Sequence, residues 1–477
     1  MLQFGRRAFL TGIGAAGFAG LASGWSRPAS AWTPDAYPGF DAAFGEGVIR
    51  PGAAHYDRLT HVYQARAQVR PALFAHCRST DDVARGVRAA RDSGASLAVR
   101  CGGHSYAGHS LGDGGAVLDL SGLRGVAVSP DGSSVTVGGG ALAGMIDAVT
   151  TPLGRATTLG QCPTVGIGGF TLGGGVGALM GRHGLGCDNL ISADVVLADG
   201  RVVTASADGD SDLYWAIRGG GGNFGVAASM TFRLHEVREV LGGFVTLRSP
   251  DPADMLRLYG AFCADLPDDL VPLAMAVPDR EGRPILSVQL CHRGEPDQAE
   301  RDVADFLSSP FVVSNEVRRM PYVELQNQGP PEIPVLASVN RGGFTSALDE
   351  AAAGRLAAAL SSAPGPYMLG LVPVQGAVTR VDMAATAFPL RRPGMAFDLT
   401  AILTGPEALA PTTAWVTGLQ AALSDPGAGA YVNVMGEEGP AAVRQAYGAN
   451  YDRLAMLKAR YDPDNLFRFN QNVPPTA

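Results

Sequence analysis

The chain has 477 residues, a formal net charge of −8 at pH 7, 46% hydrophobic residues and 17% charged ones. That balance supplies large cores and excludes disorder, and an acidic chain without a Lys/Arg-rich block excludes nucleic acid as a partner. The length predicts two to three domains at ~150 residues each.

The N-terminus reads as a targeting segment. Arg6-Arg7-Ala8-Phe9-Leu10 is a twin-arginine pattern, followed by a short apolar stretch over 13–22 and a small-residue site at Ala29-Ser30-Ala31. The expectation is export over residues 1–31, to the periplasm or beyond, with no membrane span, because a span needs ~20 apolar residues. Gly12-Ile13-Gly14-Ala15-Ala16-Gly17 spells a dinucleotide fingerprint, but no strand precedes it and it lies inside the export signal.

From about 60 to 240, short strands, glycine loops and helices alternate. Thr80-Asp81-Asp82 opens an amphipathic helix with Val83, Val87 and Ala90 inward, capped by the Thr or Asp side chain. Residues 96–100 form a buried strand. Segments 126–128 and 134–137 make a hairpin around Pro130-Asp131-Gly132, and 193–197 and 201–205 make another around Ala198-Asp199-Gly200. Residues 142–150 read as a helix. Gly108-His109-Ser110-Leu111-Gly112 matches a hydrolase nucleophile elbow in letters alone: glycines and a strand-like 116–120 follow, where the elbow requires a helix.

From about 241 to 430, apolar alternation recurs at 244–247, 284–290 and 396–403, with helical stretches at 297–307 and 348–360 between. A half-exposed antiparallel sheet backed by helices fits. Residues 441–458 read as one helix, stopped by Tyr461-Asp462-Pro463-Asp464-Asn465. The six cysteines match no zinc spacing, and no metal site is expected.

The 64 glycines cluster between Gly102 and Gly225, which points to backbone pressed against a ligand. Two loops in this stretch each carry one nucleophile: Arg100-Cys101-Gly102-Gly103-His104-Ser105, and Cys162-Pro163-Thr164-Val165-Gly166-Ile167-Gly168-Gly169. They are followed in order by Gly173-Gly174-Gly175-Val176-Gly177, Gly184-Leu185-Gly186-Cys187-Asp188-Asn189, Gly219-Gly220-Gly221-Gly222-Asn223-Phe224-Gly225, and a C-terminal run ending at Asn470-Gln471-Asn472. This order resembles the berberine-bridge-enzyme-like oxidoreductases, over roughly residues 60–475.

The resemblance implies an α+β fold: a PCMH-type FAD-binding domain in two parts, about 60–240 plus 436–477, around a substrate domain at 241–435. It implies FAD bound covalently through His104 and Cys162, two nucleophiles meeting an electrophilic flavin. Arg100, Cys101, Gly102, Gly103, Ser105, His109, Val165, Gly166, Gly168, Gly169, Gly173, Gly177, Asp188, Asn189, Val226, Asn433, Asn470 and Asn472 are implied as further cofactor contacts. Tyr431-Val432-Asn433 is similar to the Tyr-x-Asn motif of the sugar- and alcohol-oxidising members, in which the tyrosine is the general base. That role needs a lowered pKa, hence a nearby positive charge or hydrogen bonds to the phenolate.

Tyr106 is a second candidate phenol. Thr386-Ala387-Phe388-Pro389 resembles a pocket-lining strand, with Asp382 placed to tune a tyrosine. Val165 resembles the small residue that admits oxygen. Phe170 and Leu390 stand where many members carry His.

The reading is an oxidase taking a hydride from an alcohol, a sugar, oligosaccharide or secondary-metabolite hydroxyl, with O2 as acceptor. The alternatives are a dehydrogenase of the same fold and a silent flavin- or carbohydrate-binding protein.

Overall fold

The computed structural model describes residues 36–64, 69–329 and 332–476. The expected export signal, with its dinucleotide-like glycines, lies outside the described residues.

The first sheet has Val48–Ile49, Leu73–His76, Ala116–Asp119 and Leu97–Arg100 in spatial order, the last three parallel. Its Leu73, Leu97, Leu118 and Val117 are buried, as parallel strands covered on both faces require. The helix Thr80–Ser93 packs Val83, Val87 and Ala90 against it. Its cap is Ser79, whose hydroxyl accepts from Asp82 N–H at 3.1 Å. The cap expected at Thr80 or an Asp is therefore displaced by one residue, because Ser79 already has the extended backbone that a cap needs.

A second, antiparallel sheet has Val126–Val128, Ser134–Gly138, Val226–Arg233, Leu190–Val196 and Val202–Ser206 in spatial order. Both expected hairpins are present in it. The helix Ala143–Thr150 packs Ala143 and Ile146 into the core beneath.

The large antiparallel sheet runs Val312–Asn315, Glu239–Leu247, Pro284–His292, Leu270–Pro278, Tyr367–Val374, Gly394–Ile402, Ser338–Thr345, with Arg318–Pro321 also paired to Glu239–Leu247. Alternation divides its faces. Val245, Leu286, Val288, Ala274, Leu369, Leu371, Phe397 and Leu399 form one core with the helices Pro252–Phe262, Pro296–Leu307, Glu350–Ser361 and Leu409–Leu423. The opposite face carries Met275, Met368, Asn340, Asp398 and Thr400, in register with one another across the strands.

The C-terminal helix is interrupted. Pro440–Tyr447 and Tyr451–Tyr461 are separated by a turn at Gly448–Asn450, where Gly448 takes φ 52°. A left-handed glycine ends the first helix, and the apolar pattern continues across the break. Val443, Ala446, Leu454 and Leu457 join the core of the second sheet, so the chain end returns to its first half. The segment 386–389 is a loop, not a strand.

Candidate active site

One cavity of about 420 Å³ gathers most of the expected site. His104 and Cys162 both line it, and so do Cys101, Gly102, Gly103, Ser105, Tyr106, His109, Val165, Gly166, Gly168, Gly169, Val226, Tyr431, Asn433 and Asn470.

Backbone contacts bring the two nucleophile loops together. A Cβ on Gly102 would come within 2.3 Å of Gly166 N, and one on Gly166 within 2.4 Å of both Gly102 N and Cys101 Sγ. Only glycine at both positions lets the loops touch main chain to main chain. The Cys162 loop is fixed from behind, where Ala143 N–H donates to Val165 O and Gly144 N–H to Pro163 O, both at 2.9 Å. The His104 loop is fixed by Tyr63 N–H donating to Gly103 O at 2.9 Å, and by Gln64 Nε2 and Asn340 Nδ2 both donating to Tyr106 O at 3.0 Å.

His104 Nε2 lies 3.0 Å from Thr164 Oγ1, and Nδ1 has no partner among the described residues. Burial lowers the His104 pKa to about 4, so a neutral ring with an available lone pair prevails at neutral pH. Burial raises the Cys162 thiol to about 11, which leaves it protonated.

Tyr431 is held on the opposite wall. Its hydroxyl accepts from Asn433 Nδ2 at 2.9 Å and from Gly175 N–H at 3.1 Å; Asn433 Nδ2 also donates to Phe170 O at 3.0 Å. The Phe388 ring meets Tyr431 edge-on at 5.9 Å. The expected donors to the phenolate are thus present. The expected lowering is not: burial outweighs them and raises the pKa to about 12. Tyr106 is also raised, and its ring stacks on Tyr63 at 4.6 Å.

Several expected cofactor contacts lie outside the cavity lining. Asp188 is engaged by Arg391 through two bonds of 2.7 Å, and Asn189 Nδ2 donates to His183 O and Leu185 O while its Oδ1 faces His235 Nε2 at 2.6 Å. Both are structural. Arg100 pairs with buried Asp119 at 3.3 Å. Gly173 and Gly177 instead give room to neighbours, since their Cβ atoms would fall 2.0 Å from Asn433 Oδ1 and 2.1 Å from Leu159 O. Asn472 is likewise absent from the lining, with its Oδ1 buried unpaired. Asp382 is exposed and accepts from Ala384 N–H at 2.7 Å, too far out to tune a tyrosine. Ser110 is followed by turns and the strand Ala116–Asp119, so the hydrolase elbow is not formed. All six cysteines are free thiols, and no helix among the described residues is long and apolar enough to cross a membrane.

The structure adds residues that the motifs did not flag. Tyr63, Tyr447 and Phe469 line the cavity. Lys458, fully buried, donates to Asn223 O and Phe467 O at 2.8 Å and to Asp462 at 2.6 Å, tying the glycine loop at 219–225 to the C-terminal run.

Residues 71–206 match the FAD binding domain family, and residues 430–474 the berberine and berberine-like family. The chain is 30% identical over 456 residues to (R)-6-hydroxynicotine oxidase of Paenarthrobacter nicotinovorans, covering 90% of this chain and 96% of that one. The chain belongs to the berberine-bridge-enzyme-like family of FAD-linked oxidoreductases.

A solved member, xylooligosaccharide oxidase from Myceliophthora thermophila in complex with xylobiose, superimposes with a TM-score of 0.82 at 26% identity, over 92% of this chain and 100% of that one. Glucooligosaccharide oxidase from Acremonium strictum shares the fold at 21% identity and TM-score 0.82, over 92% and 100% of the two chains; it is described with a 6-S-cysteinyl, 8α-N1-histidyl FAD.

The cavity fits FAD, the cofactor of this family. Its volume is in the range of small-molecule sites. Asn470 Oδ1 and the Tyr447 hydroxyl, on lining residues, are buried without partners. A Cβ on Gly169 or Gly222 would meet no atom within 4 Å, so these lining glycines leave an open cradle.

Proposed function

We propose that the protein is an oxidase that carries FAD covalently on His104 and Cys162, oxidises an alcohol of the sugar, oligosaccharide or secondary-metabolite type, and passes the electrons to O2 as hydrogen peroxide. The observation that carries this reading is the single cavity joining His104, Cys162 and Tyr431. Bound there, FAD supplies the hydride acceptor.

The protein residues have separable tasks. Neutral His104, with Nδ1 free, and Cys162 hold the cofactor. Tyr431 receives the substrate hydroxyl proton, and the Asn433 and Gly175 donors stabilise its phenolate. Because burial raises Tyr431 to about 12, the phenolate fraction grows with pH, so turnover rises toward the alkaline side. Val165, on the cavity lining, leaves the small side chain that favours O2 as acceptor over the dehydrogenase alternative. The names of two relatives support the substrate class: glucooligosaccharide oxidase of Sarocladium strictum, 40% identical over 182 residues, and xylooligosaccharide oxidase of Thermothelomyces thermophilus, 28% over 444. The twin-arginine pattern supports an exported enzyme that folds and loads FAD before translocation.

Acid denaturation and mass spectrometry of tryptic peptides test the linkage. Flavin mass is expected on both the His104 and the Cys162 peptides, and colourless protein overturns the reading. Peroxide release with alcohols and oligosaccharides tests the reaction. Reduced flavin that persists in air would replace the oxidase with the dehydrogenase.

A further inference from the structure

The face of the large sheet opposite its helices holds an acid that the proposed chemistry leaves unused. Asp398 stands between Gly342 and Gly370, its register partners on the two flanking strands. A Cβ on Gly370 would lie 2.2 Å from Asp398 Oδ1, so the carboxylate rests over the glycine and needs its missing side chain. Asp398 is half-buried, and among the described residues nothing donates to it or pairs with it. Burial alone raises its pKa to about 6.

Two neighbouring hydroxyls are also unsatisfied. Tyr63 and Thr400 are 4% and 1% exposed, and Tyr63 OH and Thr400 Oγ1 face each other without a hydrogen bond of sound geometry. Tyr63 lines the cavity and stacks on Tyr106, and the Asp398 charge acts on both phenols. Half-buried Met275 and Met368 lie beside Asp398 on the same face. The adjoining charges are already matched: Arg341 pairs with Glu438 at 3.5 Å.

We propose that Asp398, Tyr63 and Thr400 form an anchoring subsite, and that the substrate carries a protonated amino group that binds there. This specifies the substrate class of the oxidase reading and rests on it.

An isolated carboxylate withdrawn from water is costly unless a cation neutralises it, and buried polar atoms in folded proteins are otherwise paired. Among the described residues no such cation reaches Asp398. A neutral sugar hydroxyl would occupy one lone pair and leave the charge standing. An ammonium neutralises the charge and has N–H groups to donate to the carboxylate and to the two hydroxyl oxygens.

The test uses the flavin-loaded full-length protein and two probes of one shape, benzylamine and benzyl alcohol. Both are titrated anaerobically at pH 8, with flavin absorbance and Tm as readouts. Benzylamine is expected to bind at least about tenfold tighter. Asp398→Asn should abolish that advantage with flavin content unchanged, and Asp398→Glu should restore part of it. Acidification should remove it as the carboxylate is neutralised through about pH 6.

Equal affinity for the two probes, no benzylamine binding at millimolar concentration, or an advantage that survives Asp398→Asn overturns the subsite. Peroxide produced from neutral sugars at a rate and KM unchanged in Asp398→Asn overturns it too, and leaves the oxidase reading intact. Asp398-dependent benzylamine binding without peroxide from any alcohol overturns the oxidase reading and leaves the subsite.

Discussion

The cofactor cavity and the adjoining face of the large sheet are built in opposite ways. On the cofactor side, backbone does the positioning: Gly102 against Gly166, and the Cys162 loop bonded to residues 141–144. On the large-sheet side, side chains do it, and among the described residues Asp398, the Tyr63 hydroxyl and the Thr400 hydroxyl have no hydrogen-bond partner. A wall that serves one constant ligand can be satisfied from within the chain. A wall that receives a passing ligand keeps polar groups unsatisfied until it arrives.

The largest expected effect comes from breaking the backbone wall. Gly166→Val should separate the loops and lower flavin incorporation about tenfold or more, because the added carbons overlap main chain; absorbance of the purified protein checks this. Tyr431→Phe lies between the walls. It should keep full flavin content and lose about a hundredfold or more in kcat, together with the alkaline rise in the pH–rate profile. Retention of that rise in the variant would remove Tyr431 as its source.

Lys458→Met should cost about 3 kcal/mol of stability, measured by denaturant unfolding, because Asp462 is left buried without its cation. Flavin should dissociate more readily only in variants that also lack the covalent links.

The smallest effect concerns Asp147, the cofactor-side acid that is buried without a partner for Oδ1. Burial raises its pKa to about 7, so the protonated form is favoured in the fold and stability is lost as pH rises through 7. Asp147→Asn should raise Tm by a few degrees at pH 8, by less at pH 5, and leave it unchanged below about pH 4, where the acid is protonated in both states. Turnover should not move, since Asp147 is not on the cavity lining.

The cofactor wall was largely legible in the sequence, because glycine loops and hairpin turns are local signals. Pro130-Asp131-Gly132 and Ala198-Asp199-Gly200 mark hairpins wherever the rest of the chain goes. The substrate wall was not legible. Alternation in 396–403 shows which residues share a face, but the two glycines beside Asp398 come from strands 28 and 56 residues earlier, and that register is set only by sheet assembly. Asp188 misled for the converse reason: it sits in a glycine-rich run near the cofactor loops, while its partner Arg391 arrives from 203 residues away. Tyr431 shows a third limit. A motif can name a phenol and its donors, but not the burial that outweighs them.

The contact between Gly102 and Gly166 also bears on how the enzyme matures. Loops packed main chain to main chain bring the His104 imidazole and the Cys162 thiol to the same cavity. A ligand attached to the first is therefore presented to the second as an intramolecular reactant, at an effective concentration that no free cofactor pool reaches. That advantage falls where it is needed, since His104 is neutral and ready while Cys162, raised to about 11, is the slower nucleophile. In the doubly linked enzyme proposed above, attachment should then be ordered, with histidine first and cysteine second, by a clock built from two glycines.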